Sequence, residues 1–213
     1  MKQPRPADVL GRITLVTGPE EFLNERTITA VRAAVRAHDV EAELTEAVAA
    51  DLTLATLGEM SAPSLFSSTR CVVVRMLENL PEESADGLLG YCASPVDDVA
   101  LVLAHSGGQK GSGLLTKLRK LGAVTEVKSE ALKASDVARF VSSEVAHHGA
   151  RIDQEAAGFL VSAVGQDLRS LAAAAHQLTN DFPGEALTLE KVQRYFGGRA
   201  EAKSFAVADH AFY

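Results

Sequence analysis

The stretch ITLVTGPEEFLNE, residues 13–25, decides the fold of this chain. Its first five residues form a β-rich run that ends at Gly18-Pro19, a strong turn signal. From Glu20 to Ala37 the apolar residues recur at helical spacing, and acidic residues in the first turn suit the helix dipole. The stretch therefore predicts a strand, a tight turn and a helix.

The same alternation of strand and helix signals continues to residue 130. Besides Ile13–Thr17, the predicted strands are Val40–Leu44, Arg70–Leu77, Asp98–Ala104 and Ala123–Val127. Further helices are predicted over Leu52–Met60, Glu82–Tyr91 and Leu114–Lys120. Alternation of this kind is typical of an α/β fold with a parallel sheet covered by helices.

After Ser129 the strand signals stop and alanine-rich helical sequence follows. We predict an α/β domain over residues 1–130 and a small all-α domain over residues 131–197. The predicted helices of the second domain are Ala134–His147, Gln154–Val164, Leu168–Leu178 and Leu189–Tyr195. Residues 198–213 end on the aromatic Tyr213 in mid-helical pattern, so we expect them to begin a linker towards a further domain.

Composition narrows the classes of function. The chain has 213 residues, of which 46% are hydrophobic, and a net charge of −7. This composition supports a real core and argues against a protein that coats nucleic acid. Its two cysteines exclude a disulfide framework, and its apolar runs are shorter than the roughly 18 residues of a membrane span. We expect a cytoplasmic protein with no cofactor, no metal site and no membrane partner.

The turn after the first strand lies where a nucleotide-binding P-loop, G-x-x-x-x-G-K-[ST], would lie. Gly18 fits this pattern, but Leu23 replaces the second glycine, Asn24 the lysine and Glu25 the hydroxyl that binds magnesium. The strand Arg70–Leu77 also lacks the metal-holding aspartate expected at its end. Both halves of an ATPase site are therefore degenerate, and no catalytic constellation occurs elsewhere in the sequence.

A glycine-rich loop, Ser106–Gly113, and a short basic helix follow the fourth predicted strand. The order of the loop does not match a P-loop, and a flexible connection is the simpler interpretation. Four basic residues of this region could contact DNA phosphates, although a solvated helix face is the more common explanation of such a cluster. They are Lys110, Lys117, Arg119 and Lys120.

Two large apolar residues, Leu65 and Phe66, follow Pro63 in a serine-rich segment that includes Ser61 and Ser64. They either fold inward as anchors or project as a hydrophobic plug for a partner. In the second domain, Arg169 follows a helix start, which by itself indicates a surface arginine beside a helix cap.

Taken in order, these features resemble the delta subunit of bacterial DNA polymerase III, the clamp-opening subunit of the clamp loader. The residues that carry the resemblance are Val16–Leu23, Ser64-Leu65-Phe66 before the Arg70–Leu77 strand, Asp98–Ala104, and Thr188–Gln193. They span nearly the whole chain. The resemblance implies an AAA+ fold, in which a RecA-like α/β domain precedes a small helical lid-like domain.

The resemblance also implies a function. Leu65 and Phe66, with Pro63, Ser64 and Ser61, would enter a pocket of the β sliding clamp, and Ser61 stands where some clamp-binding motifs carry glutamine. The degenerate P-loop agrees with a subunit that does not hydrolyse ATP, and Arg169 resembles a sensor-2 residue without a nucleotide to serve. A third, helical collar domain would join the chain to the gamma/tau and delta prime subunits.

On this interpretation the chain is not an enzyme. It helps to load the clamp on primed DNA within a DNA-directed DNA polymerase holoenzyme, a nucleotidyltransferase, at the replisome. Two alternatives remain open at this point: an AAA+ ATPase with an atypical P-loop, and a module that binds DNA directly.

Overall fold

The computed structural model describes residues 4–61 and 69–197. The chain divides into two compact units, Met1–Ala131 and Leu132–Tyr213. Within the described ranges, no helix combines the length and apolar content needed to cross a bilayer.

The first unit is built on a five-stranded parallel sheet in the order β2-β3-β4-β1-β5. Because sequential strands do not all lie side by side, the connections cross over the sheet, as parallel strands require. All carboxyl ends of the strands meet at one edge, where open α/β sheets bind their ligands. The strands are β1 Arg12–Thr17, β2 Glu43–Val48, β3 Arg70–Arg75, β4 Val99–His105 and β5 Val124–Lys128.

Helices cover both faces of this sheet. Side chains of β3 alternate between two cores: Cys71 and Val73 pack on one face, Val72 and Val74 on the other. Burial on both faces explains why the central strands are almost continuously apolar. The helices are α1 Pro6–Val9, α2 Glu21–His38, α3 Leu54–Ser61, α4 Glu82–Ala93 and α5 Ser112–Leu118, with 3₁₀ turns at Ala49–Asp51 and Leu77–Asn79.

The second strand lies later in the chain than the sequence pattern predicts. It runs over Glu43–Val48 rather than Val40–Leu44. Residues 39–41 form a turn instead, in which Asp39 Oδ1 accepts a hydrogen bond from the Glu41 N–H at 3.0 Å. Val40 lies in this turn and is 81% exposed. Because β2 is an edge strand, its polar residues weaken the signal that would have placed it.

The second unit contains α6 Ala134–His147, α7 Gln154–Val164, α8 Leu168–Asp181 and a last helix over residues 189–197. It is not entirely helical, because β6 Arg151–Ile152 and β7 Ala186–Leu187 form a parallel pair. Strands of two residues are too short to show a period in the sequence. Asp167 caps α8 by accepting a hydrogen bond from the Ser170 N–H at 2.8 Å.

Candidate functional site

The candidate site lies at the carboxyl edge of the sheet, where β1 leads into α2. Gly18 packs directly against Ser129: a Cβ at Gly18 would lie 2.1 Å from the Ser129 carbonyl oxygen. On its other side, a Cβ at Gly107 would lie 3.0 Å from the Gly18 Cα. The segments that follow β4 and β5 therefore close on the loop that would hold a triphosphate.

Three backbone N–H groups of this loop, those of Gly18, Glu20 and Phe22, are bonded within the protein. Gly18 donates to the His105 carbonyl at 3.0 Å, and Glu20 donates to the Ser129 carbonyl at 3.0 Å. The Phe22 N–H donates to the Glu20 side chain at 3.3 Å, which makes Glu20 the cap of α2. A phosphate cradle needs such N–H groups to converge on the anion. Here these N–H groups donate to acceptors within the protein instead.

The remaining P-loop positions also turn inward. Asn24, at the lysine position, donates from Nδ2 to the Gly18 carbonyl at 3.1 Å, and so closes the turn on itself. Leu23, at the second glycine position, is half-buried and accepts a hydrogen bond at its carbonyl from Thr27 Oγ1 at 3.0 Å. The degenerate loop is thus a helix start held by its own side chains.

Glu25 and Arg75 form an ion pair across this edge. Glu25 stands at the P-loop hydroxyl position, and Arg75 ends β3 after four apolar residues, where a metal-holding aspartate would stand. Arg75 Nη2 donates to Glu25 Oε2 at 3.1 Å, and its Nη1 donates to Glu25 Oε1. In ATP-using P-loop proteins these two positions share a magnesium ion. Here a guanidinium joins them.

The ion pair extends onto β2. Arg75 Nε donates to Glu46 Oε1, and Arg32 of α2 lies 2.6 Å from Glu46 Oε2. The hydrogen bond from Arg75 lowers the pKa of Glu46 most, and the hydrogen bond from Arg32 lowers it further. The hydrogen bond to Glu25 raises the pKa of Arg75. Two carboxylates and two guanidiniums therefore alternate across α2, β3 and β2.

The glycine-rich loop after β4 is tied down rather than being an open, flexible connection. His105, which is 1% exposed, accepts the Gly107 N–H at Nδ1 and donates from Nε2 to the Lys110 carbonyl, both at 2.8 Å. Gly111 packs on Glu78, because a Cβ there would lie 3.1 Å from the Glu78 Cα. The loop is a compact turn folded onto the 3₁₀ turn that follows β3.

The four basic residues proposed for DNA contacts differ in their surroundings. Arg119 is held by Glu126, with Nε and Nη2 at 2.9 and 2.7 Å from the two carboxylate oxygens. Lys110 Nζ donates to Asn79 Oδ1 at 2.6 Å. Lys117 and Lys120 are exposed. The structure therefore shows Arg119 bonded to Glu126 and Lys117 and Lys120 exposed, while contact with DNA stays a prediction.

Arg169 lies exposed in the first turn of α8 in the second unit, as its helix-start pattern predicts. The plug residues Pro63, Ser64, Leu65 and Phe66 lie outside the described residues. Ser61 ends α3, and its side chain lies outside the description as well. Among residues 4–61 and 69–197, no group of histidine, cysteine and acidic residues could hold a metal ion.

Arg70 lies just after the undescribed segment and joins its two flanks. Arg70 Nη1 donates to the Glu59 carbonyl of α3 at 3.0 Å. Its Nη2 lies 3.1 Å from the Glu43 carboxylate at the start of β2. The guanidinium thus connects the end of α3 to the starts of β2 and β3.

The sequence shows that Arg75 stands in place of an acid, but its partners were missed. One signal in the sequence could have predicted the first partner. Glu25 is acidic and Arg75 is basic, and they stand at two positions that meet in P-loop proteins, so opposite charges there predict an ion pair. The link to Glu46 had no signal, because the predicted β2 ended before Glu46. The role of His105 depends on contacts that no sequence pattern carries.

No protein-family model and no curated protein matches this chain. Among solved structures, it resembles the Bacillus subtilis DNA clamp loader delta protein, with a TM-score of 0.72 at 19% identity over 87% of this chain. It spans 58% of the length of that protein. A Thermotoga maritima DNA polymerase III gamma subunit-related protein matches at TM-score 0.47 and 12% identity, covering 86% of this chain and 65% of its own. The Thermotoga maritima RuvB Holliday junction branch migration motor matches with a TM-score of 0.48 at 10% identity. That match covers 86% of this chain and 60% of the RuvB chain.

The likeness to the Bacillus subtilis protein shows the fold. The chain shares the fold of that protein: a domain built on a five-stranded parallel sheet precedes a small, mainly helical unit.

Proposed function

We propose that this chain acts as a clamp-loader subunit of the delta type, which binds a ring-shaped sliding clamp and helps to open it without hydrolysing ATP itself. The fold shared with the Bacillus subtilis clamp loader delta protein supports the general role. The single observation that carries the proposal is the Glu25–Arg75 ion pair in place of a magnesium site.

The chemistry of the edge supports the absence of ATP hydrolysis in this proposal. Phosphoryl transfer on a P-loop depends on converging N–H groups, a lysine and a bound magnesium ion. The N–H groups of Gly18 and Glu20 are bonded within the fold, and Asn24 replaces the lysine. With the metal position held by Arg75, nucleotide binding would have to break several bonds before any phosphate contact formed.

Clamp binding is assigned to Leu65 and Phe66, on the sequence resemblance. Burial of two such side chains in a partner's pocket stabilises a complex by roughly 3–6 kcal/mol before ordering costs. Binding opens a ring only if the bound loop fits the open interface better than the closed one. Neighbouring clamp-loader subunits would supply the ATP-driven step, and contact with primed DNA would come through the whole complex, in the cytoplasm.

The test is binding of this chain to a purified β clamp, compared with a Leu65→Ala/Phe66→Ala variant. We expect the variant to lose at least about 100-fold in affinity, since two buried anchors are removed. Met76→Ala is the matched control. Met76 is 47% exposed, but it follows β3 at its carboxyl end, whereas the plug segment precedes β3.

Three outcomes separate the hypotheses. Binding that the double variant loses and Met76→Ala keeps supports the proposal. Binding that neither variant alters would place the contact elsewhere on the chain. If wild type fails to bind the clamp, is stabilised by Mg-ATP and releases phosphate from it, the alternative of an ATPase with an atypical loop replaces the proposal.

A further inference from the structure

The Arg75 guanidinium, through Glu25 and Glu46, joins three elements at the carboxyl edge of the sheet. Glu25 lies in the first turns of α2, Arg75 at the end of β3, and Glu46 on β2. The Arg75 guanidinium bonds to both carboxylates, through Nη1 and Nη2 to Glu25 and through Nε to Glu46. Each of the three connections uses a separate N–H group of one planar cation.

Two carboxylates gathered on one point need a cation between them, because like charges at short range repel. The side chains are partly screened from water: Arg75 is 29% exposed and Glu25 is 32% exposed. A divalent ion would satisfy the same oxygens, since hard cations take carboxylate ligands from several elements. The Arg75 guanidinium neutralises the same oxygens but, unlike a metal ion, it cannot dissociate from the protein. It also keeps its charge at ordinary pH.

We infer that Arg75 is a built-in cation, which replaces the divalent ion of a nucleotide site and holds α2, β2 and β3 together whether or not nucleotide is present. This assignment stands on the described contacts alone. Its consequence, that clamp binding by this chain does not respond to Mg-ATP, rests on the proposed function.

The first measurement is thermal unfolding of the full chain. Arg75→Ala leaves the Glu25 and Glu46 carboxylates without their shared cation, and we expect the unfolding midpoint to fall by about 5 °C. Arg36→Ala is the matched control, because Arg36 is an exposed arginine of the same helix as Glu25. We expect that control to unfold within about 1 °C of wild type.

Chemical rescue then separates a cation site from mere packing. Millimolar guanidinium, compared with sodium chloride at equal ionic strength, should restore at least half of the fall in midpoint caused by Arg75→Ala. Manganese chloride should also raise the midpoint of this variant, since Glu25 loses the cation that it shares with Glu46, while Glu46 keeps only Arg32. Neither ion should stabilise wild type. Arg75→Lys should fall between wild type and alanine, because an ammonium cannot form the forked contact.

The opposite results overturn the inference. An unchanged midpoint in Arg75→Ala would show that the pair has no holding role. A fall that neither ion reverses, and that is absent in Arg75→Met, which keeps most of the bulk without the charge, would show that only the bulk of the side chain matters. Failure of wild type to bind the clamp would instead count against the proposed function. The role of Arg75 would still be decided by the thermal unfolding experiments alone.

Discussion

Gly18 lies so close to Ser129 that no other residue fits: a Cβ at Gly18 would stand 2.1 Å from the Ser129 carbonyl oxygen. Its φ of 141° is also one that side chains rarely adopt. The contact is made between two backbones, so no flexible side chain can move aside. It keeps the turn after β1 against the segment that follows β5, and thereby closes the edge where nucleotide would bind.

We therefore expect Gly18→Ala to reduce the free energy of unfolding by about 3–5 kcal/mol, in the upper range for single substitutions. Gly149→Ala is a matched control, because Gly149 has a φ of 78° but nothing within 4 Å of its added Cβ. Backbone strain alone should cost that variant about 1–2 kcal/mol. Urea unfolding of the three proteins compares them. Equal losses would mean that strain, and not the close approach to Ser129, limits Gly18.

A second prediction concerns acid stability. The Arg119 guanidinium, with a further hydrogen bond from Thr17 Oγ1 at 2.6 Å, lowers the pKa of Glu126 from 4.5 to about 2. A carboxyl group whose pKa is lower in the folded state stabilises the fold above its unfolded pKa. That contribution should be lost as the pH falls from about 4.5 to about 2.

Glu126→Gln should remove this part of the acid dependence and cost less than about 1 kcal/mol at pH 7, because Arg119 is well exposed. Urea unfolding of both proteins between pH 2 and pH 7 measures the difference. Identical pH profiles would show that the pair has no effect on stability. Glu185→Gln serves as the control, since the Glu185 carboxylate is more than half exposed beside Lys191.

A third prediction concerns Arg70, which joins α3 to the starts of β2 and β3. Removal of its guanidinium should loosen the end of α3 and the start of β3, the described elements on either side of the segment assigned to clamp binding, so that binding the clamp costs more entropy. We expect Arg70→Ala to weaken clamp binding about 5- to 10-fold, equivalent to about 1–1.4 kcal/mol. Surface plasmon resonance on immobilised clamp measures the change.

Arg5→Ala is the control for this prediction, because Arg5 is a highly exposed arginine paired only locally with Asp8 among its described salt bridges. If Arg70 acts through the plug, adding Arg70→Ala to Leu65→Ala/Phe66→Ala should produce no further loss of affinity. A full additional loss in the triple variant would argue for direct binding of Arg70 to the clamp.

A fourth prediction separates the basic residues. If the isolated chain binds duplex DNA, Lys117→Ala/Lys120→Ala should lower the slope of log K against log salt by nearly 2, about one for each phosphate that is no longer neutralised. Arg119→Ala should change the slope less, because Glu126 already neutralises Arg119. Fluorescence anisotropy across a salt series measures both slopes. The reverse order would show that the Arg119–Glu126 pair opens on DNA.

Local patterns determined most of the fold. The apolar run of β3 and the turn at Gly18 identify a parallel α/β domain, since burial on both faces imposes continuous apolar strands. The boundaries of α6 and α7 follow from a simple helical period. The degeneracy of the P-loop was also evident, because the required residue types are absent at Leu23, Asn24 and Glu25.

Only the tertiary structure decided what occupies that edge instead. Glu25, Glu46 and Arg75 are far apart in sequence, and they meet because the parallel register brings the ends of β2 and β3 together beside α2. The pairing of β1 with β5 likewise sets Gly18 against Ser129, although each alone is an ordinary loop residue. Sequence patterns report which residues are apolar and at what spacing. The partners of charged side chains and the close contacts between backbone segments depend on distances in space, which only the folded chain defines.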